Sequence, residues 1–232
     1  MQMNIIAIKN EVTKQLSEQR LVMYMVSIIP ILIVWQLDMI ISPYPLLELI
    51  LSLVIAMVPL VISNIYLTLY RGHDFDFKRD VIDHSVDNGI KYTLVNLGAG
   101  FIILFWSLLF VVPGIIKQYA YTFIPYIARE EPDAGFMEIL DKSEALTKGH
   151  KMTIFKIQLR YLWLVFLGLI IQVFSLVGIL SLLFPPFSAI SFGLYGALLY
   201  PVGLVLILIG TVYGMPRFEI AKVVMYEELT SE

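Results

Sequence analysis

The chain has 232 residues, 59% of them hydrophobic and only 15% charged, with a formal net charge of −3. A soluble domain carries about 25% charged residues, and a fold this small has too much surface to cover with so few, so the composition excludes an ordinary water-soluble globule and points to lipid. The lack of cysteine excludes disulfides, Cys-based zinc sites and thiol catalysis, and an acidic balance with no basic, aromatic-interleaved stretch excludes a nucleic-acid partner.

A helix that crosses a bilayer needs roughly 20 mainly apolar residues. Residues 1–20 are rather polar and lead into a first span at 21–41, with Gln36 and Asp38 late in it. This run is longer than a signal core and lacks a small-x-small exit, so it is expected to stay in the membrane as an anchor. Ser42, Pro43, Tyr44 and Pro45 make a short helix-breaking link to a second span at 46–70, which carries Glu48 near its start. Residues 71–92 are polar and acidic and read as aqueous. A third span at 93–112 is stopped by Pro113–Gly114. The stretch 114–129 is short for a span and contains Lys117, Gln118 and Pro125, and 130–156 reads as aqueous. Two further spans, 157–183 and 187–212, are joined through Pro185–Pro186, and a polar tail occupies 213–232. The expected fold is all-α, a polytopic transmembrane bundle in a single membrane domain.

Charge bias decides whether 114–129 crosses, because short cytoplasmic loops are enriched in Lys and Arg. Lys9, Lys14 and Arg20 put the N-terminus inside, and Arg71, Lys78, Arg79 and Lys91 return to that side two crossings later. A crossing at 114–129 brings Arg129, Lys142, Lys148, Lys151 and Lys156 inside as well, together with Arg217 and Lys222. Lys117 alone then stays near the outer face. About six spans follow, with both termini cytoplasmic; a re-entrant 115–128 is the alternative. Three cytoplasmic segments are amphipathic: Ile5, Ile8, Val12 and Leu16; Phe136, Ile139 or Leu140, Ser143 and Leu146 or Thr147; and Ile220, Val223, Val224 and Tyr226. Each is expected to lie along the inner membrane surface or to cap the bundle.

Val112–Pro113–Gly114–Ile115–Ile116–Lys117, followed by Tyr119, Tyr121, Pro125 and Tyr126, precedes Ser143 and then Lys148–Gly149–His150–Lys151. This succession resembles the bacterial integral membrane family catalogued as domain of unknown function 975, in which a Pro-Gly-Ile-Ile-Lys turn leads to a Tyr-rich helix and a Ser, then a Gly and Lys, precede the next span. The resemblance covers about residues 93–165, and the tail from Pro216 to Tyr226–Glu227 is similar to the family's ending. It departs at Leu159–Arg160–Tyr161–Leu162–Trp163, where the family has a Leu-Ser-Phe-Ile-Gly-Trp stretch. The resemblance implies a multi-span protein of a Gram-positive cell membrane, with Pro113, Gly114, Lys117, Tyr121, Pro125, Ser143 and Gly149 as its motif positions, and implies no activity.

Few residues suggest chemistry. Asp38, Glu48 and Lys117 each lie a few residues inside a span, where ionisable groups pair or line a cavity; the choice is between a polar site among spans one, two and four and a structural pair within snorkelling reach of the headgroups. Ala189, Gly196, Gly203 and Gly210 recur every seven residues on one stripe of the last span, suited to packing within the chain or to a dimer seam. Asp76, Asp80, Asp83 or His84, and Asp87 share a helical face but match no metal motif, and Lys78 and Arg79 among them favour a solvated face. Ser143 reads as a packing position and Gly149 as a helix stop; His150 is no base for Ser143, because Gly149 interrupts the helix between them. No catalytic, cofactor or metal set is expected. The chain reads as a non-enzymatic membrane protein whose partners are lipid and either another protein or a second copy, with a small-solute or ion transporter as the alternative.

Overall fold

In lipid every backbone N–H and C=O must be satisfied within its own segment or by a neighbour, so apolar runs of this length fold as helices. The computed structural model describes residues 5–41, 44–73, 76–181 and 187–231, without the side chains at 31, 35, 38, 39, 45, 49, 53, 81, 84–88, 181 and 187–192. Every regular element among them is helical: α1 (Ile5–Glu18), α2 (Arg20–Ile41), α3 (Pro45–Tyr70), a π-helical stretch (Lys78–Asp83), α4 (His84–Leu109), α5 (Val111–Ala120), α6 (Ile124–Glu130), α7 (Phe136–Thr147), α8 (Lys151–Ser181) and α9 (Phe187–Thr230). Among the described residues four helical stretches are long and apolar enough to cross a membrane, Leu46–Tyr70, Gly89–Leu109, Lys151–Leu180 and Gly193–Thr230. A fifth arises if Ile5–Glu18 and Arg20–Val34, bent by 92° at their junction, are taken as one span.

The chain divides into two compact units, one comprising Met1–Phe155 with Glu219–Glu232 and the other Lys156–Phe218. In the first, α3 and α4 pack together and α5 and α6 return along α4. The junction is made at Phe110, whose extended backbone (φ −156°, ψ 136°) ends α4 and caps α5. Pro113–Gly114 is therefore not the stop expected from sequence. Pro113 lies in the first turn of α5, where a missing N–H costs nothing because that donor has no intrahelical partner. Gly114 allows α5 to press against Ser107 of α4, leaving no room for a Cβ. At the other end of the return, Lys91 donates to the Pro132 carbonyl. The segment 111–132 thus runs back along most of α4, broken at Tyr121–Phe123, where Pro125 enters the first turn of α6.

Two boundaries differ from the sequence reading. Helix α4 begins at His84, so part of the expected aqueous loop is helical. The amphipathic face read in 136–147 is the one that packs inward: Ile139, Leu140, Ser143 and Thr147 of α7 are buried, and Phe136 covers Gly98 of α4. Helix α9 continues through Pro216 to Thr230, because the residues beyond the proline are amphipathic and bury Ile220, Val223, Met225 and Tyr226 in the first unit. The α1 face that packs inward is Ile8, Val12, Gln15 and Leu16.

In the second unit α8 and α9 are apposed through glycines. A Cβ on Gly196 would stand 2.7 Å from the Ser175 carbonyl oxygen, one on Gly203 3.1 Å from the Gly168 carbonyl oxygen, and one on Gly210 2.7 Å from the Val165 nitrogen. The stripe read from sequence faces α8 of the same chain at these three positions; the Ala189 side chain lies outside the described residues. Replacement of Gly196 by Leu is expected to force the two backbones apart and to lower stability in detergent by about 1–3 kcal/mol, whereas Gly100→Ala, which meets nothing within 4 Å, is expected to cause no loss. Thermal unfolding of the two variants measures the contrast, and equal tolerance of both would contradict the packing.

Candidate functional site

The polar side chains of the first unit gather at the end where α3 stops. Arg71 follows the last residue of α3, and its guanidinium reaches two distant segments: Nε donates to Glu227 at 2.7 Å, and Nη2 donates to Glu130. The Tyr226 hydroxyl donates to the second oxygen of Glu130. Glu130 is the last residue of α6, and Tyr226 and Glu227 lie near the end of α9, so one arginine holds the ends of three helices. The neighbouring Tyr70 hydroxyl feels the charges of Glu11 on α1 and of Glu227 and Glu228, which places the N-terminal helix at this end too.

One turn further in, Arg129 donates to the Asn64 carbonyl at 2.6 Å and to Thr68 Oγ1 at 2.9 Å. Thr68 in turn donates to Asp80 Oδ1 at 3.3 Å. Asp80 is fully buried and receives Arg79 Nη2 and the Asp76 N–H, each at 2.9 Å. Burial acts to raise the Asp80 carboxyl, but the hydrogen bonds from Arg79 and Asp76, the Arg79 charge and Thr68 outweigh it and hold the carboxyl below the ordinary aspartate range. Asp80 is thus the inward-facing member of the acidic stretch, a structural acceptor that pins the π-helical stretch to α3. His84 and Asp87 have side chains outside the described residues, and among those described no group of three or more His, Asp or Glu could hold a metal ion.

Behind these ion pairs lies a buried aromatic layer. The Tyr126 and Tyr226 rings stack at 5.0 Å between centroids, and Phe123 approaches Tyr226 at 5.7 Å. Tyr66 is fixed by donating to the Met23 carbonyl at 2.8 Å and by its contact with Ser27 at 2.7 Å, tying α3 to α2. Glu219 of α9, 5% exposed, pairs with Lys222 at 2.8 Å, and its charge reaches Tyr66, Tyr92 and Tyr126.

Of the residues singled out from sequence, Lys117 is paired with Glu144 through both carboxylate oxygens, at 2.9 and 2.7 Å, and lies 5.8 Å from the Tyr121 ring. Lys151 stands 3.5 Å from the same carboxylate. Glu48 is exposed on the first turn of α3, and the Asp38 side chain lies outside the described residues; the partner of Lys117 is an α7 residue that the sequence reading places in water. The Lys117 hydrogen bond, aided by the charges of Lys117 and Lys151 and only partly opposed by burial, holds the Glu144 carboxyl below its usual range. Ser143 is fully buried, donating to the Ala120 carbonyl at 2.8 Å and accepting the Phe123 N–H at 3.2 Å. Both bonds are spent on the turn between α5 and α6, so its hydroxyl is a splint for that break. Pro125 is buried in α6, and Gly149 takes φ +84° beyond the end of α7, the left-handed conformation that a helix stop requires.

Sequence reasoning missed Arg71, Glu130 and Glu227 as a set. Arg71 and Glu227 are separated by 156 positions, and no local spacing links them; the available signal was a lone arginine at a span end matched by a Tyr-Glu-Glu near the chain's end. Compared with protein-family models, with curated proteins and with solved structures, the chain matches none.

Two outcomes follow from this geometry. Ser143→Val leaves the Phe123 N–H and one bond to the Ala120 carbonyl unmade in a buried place, an expected cost of about 1–3 kcal/mol, measurable as a fall in thermal stability that Ser143→Thr partly restores. Asp80 and Glu144 have folded pKa values below their unfolded ones, so their contribution is complete above the ordinary carboxylate range of about 4 and lost as pH falls through the folded values. Acidification from neutrality is expected to destabilise the protein, and Asp80→Asn with Glu144→Gln to flatten that dependence. An unchanged acid limb in the double variant would contradict these assignments.

Proposed function

We propose that this chain is a non-enzymatic multi-span protein of a bacterial cell membrane that acts through a protein partner, as an accessory, protective or transporter-associated component. The observation that carries this reading is the pairing of several ionisable groups of the first unit with one another. Arg71 is held by Glu130 and Glu227, Arg79 by Asp80, Lys117 by Glu144, and Lys142 by Glu131 and Glu138. Arg71 and Lys117 so paired link separate helices, and the carboxylates in these pairs are engaged rather than offered as an acid, base or ligand set. The resemblance of the Pro113–Gly149 motif positions to the family catalogued as domain of unknown function 975 supports the membrane part of this reading, since it implies a multi-span protein of a Gram-positive cell membrane.

Six crossings with both termini on the cytoplasmic side remain the proposed topology. It is supported by the return of 111–132 along α4 and by the meeting of Glu11, Arg71, Glu130 and Glu227 at one end of the first unit. An even number of crossings between any two of these positions accounts for their proximity. Affinity purification from its own membrane in mild detergent tests the functional reading: a stoichiometric protein partner is expected, and solute flux by the pure protein in liposomes without such a partner would favour the transporter instead.

A further inference from the structure

Helix α8 is interrupted at Leu162, whose backbone (φ −110°, ψ 17°) leaves helical values and divides the helix into two arms. Sharp bends in helices have identifiable causes, chiefly proline, glycine with serine, or a group inserted into the hydrogen-bond ladder. Residues 156–167 contain no proline, glycine or serine. What permits the bend lies across the interface, in α9. Gly214 faces the Tyr161 carbonyl with no room for a Cβ, and a Cβ there would also stand 2.7 Å from the Leu162 side chain. One turn earlier, a Cβ on Gly210 would stand 2.7 Å from the Val165 nitrogen and 2.8 Å from Leu164 Cβ. The bent turn 161–165 of α8 thus rests in a saddle that two glycines of α9 open for it.

Helix α9 has its own weak turn beside the saddle. Pro216 lies inside the helix, where it has no N–H to give the Val212 carbonyl and its ring crowds that carbonyl. The next carbonyl, that of Tyr213, receives the Arg217 guanidinium, which also stacks 3.6 Å from the Tyr213 ring. The turn 212–217 is therefore held in part by a side chain, where a helix is ordinarily held by its backbone. Further along the hairpin the two helices are clasped again, Gly203 against Gly168 and Gly196 against Ser175. The interrupted turn of α8 and the proline turn of α9 so lie at one level, in direct backbone contact, below a closely packed pair of arms.

We propose that the turns 161–165 of α8 and 212–217 of α9 form one hinge, on which the apolar length of the hairpin beyond them tilts as a single piece. The saddle imposes the coupling: the bend of α8 changes only as far as Gly210 and Gly214 move with it, and Pro216 lets them move. This device goes beyond the partner-dependent reading and does not rest on the number of crossings. Spin labels test it, since the chain has no cysteine of its own. In lipid nanodiscs, Met152→Cys with Val173→Cys brackets the bend in α8, and Leu208→Cys with Thr230→Cys brackets the proline turn in α9, all four positions being exposed. Straight helices would hold these pairs about 31 and 33 Å apart. Leu167→Cys with Leu180→Cys, both beyond the bend, supplies the width of a rigid arm. Double electron–electron resonance is expected to give broader distance distributions for both bracketing pairs than for this reference. Pro216→Ala, which returns an N–H to the Val212 carbonyl, is expected to narrow both to the reference width, including the α8 pair on the other helix. Bracketing pairs as narrow as the reference in the unsubstituted protein would mean fixed bends and overturn the hinge. Narrowing of the α9 pair alone, or of neither pair, would mean that the two turns are independent and would overturn the proposal as well.

Discussion

The Arg71 guanidinium sets the register of the last turns of α3, α6 and α9 at one end of the first unit, and the course of the chain between them has to satisfy that meeting. Helix α3 must deliver Arg71 to this end, α4 must leave it, and α5 with α6 must come back to bring Glu130 within reach. The last residues of α9 must then extend past Pro216 to supply Tyr226 and Glu227.

Magnitudes separate what holds these helices from what registers them. The Arg71, Glu130 and Glu227 side chains are each about one-third exposed, and ion pairs so placed contribute about 0–1 kcal/mol apiece. Ile220, Val223, Met225 and Tyr226 are almost completely buried, and a fully buried apolar side chain contributes about 1.5–3 kcal/mol. Packing therefore keeps the end of α9 in the first unit. The ion pairs decide which turn of α9 meets which turn of α6, since a shift by one residue would carry Glu227 away from Arg71 and Tyr226 away from Glu130. The break at Tyr121–Phe123 has the same division of labour: Phe123 and Tyr126 fill the core, and Ser143 satisfies the backbone that the break leaves open.

Much of the architecture was legible in the sequence because lipid imposes length and composition directly. The apolar stretches from Leu46 to Tyr70 and in α4, α8 and α9 announce themselves as helices, and the seven-residue glycine spacing places Gly196, Gly203 and Gly210 on one stripe. What was not legible depends on partners brought together by folding. Pro113–Gly114 has the composition of a stop, yet Phe110 takes the turn and the proline opens the following helix. Lys117 has an apolar neighbourhood in sequence that suggests an intramembrane acid as partner, but α7 leans back along α5 and presents Glu144. The apolar face of the tail beyond Pro216 was legible in Ile220, Val223, Val224 and Tyr226, but not the stacking of Tyr226 on Tyr126 that it makes. In each case the missing information is a long-range contact that no local period encodes.

Cysteine accessibility tests the central claim most directly, since the chain has no cysteine of its own. Single cysteines at His73, Asp133 and Ser231 sit beside the Arg71 end of the first unit or close to it in sequence, and a single cysteine at Phe110 sits at the opposite turn. A membrane-impermeant maleimide applied to intact cells is expected to label the Phe110 position and to reach the other three only after permeabilisation. Labelling of the Asp133 position from outside, with His73 still protected, would mean that 111–132 does not return across the bilayer and would contradict the account.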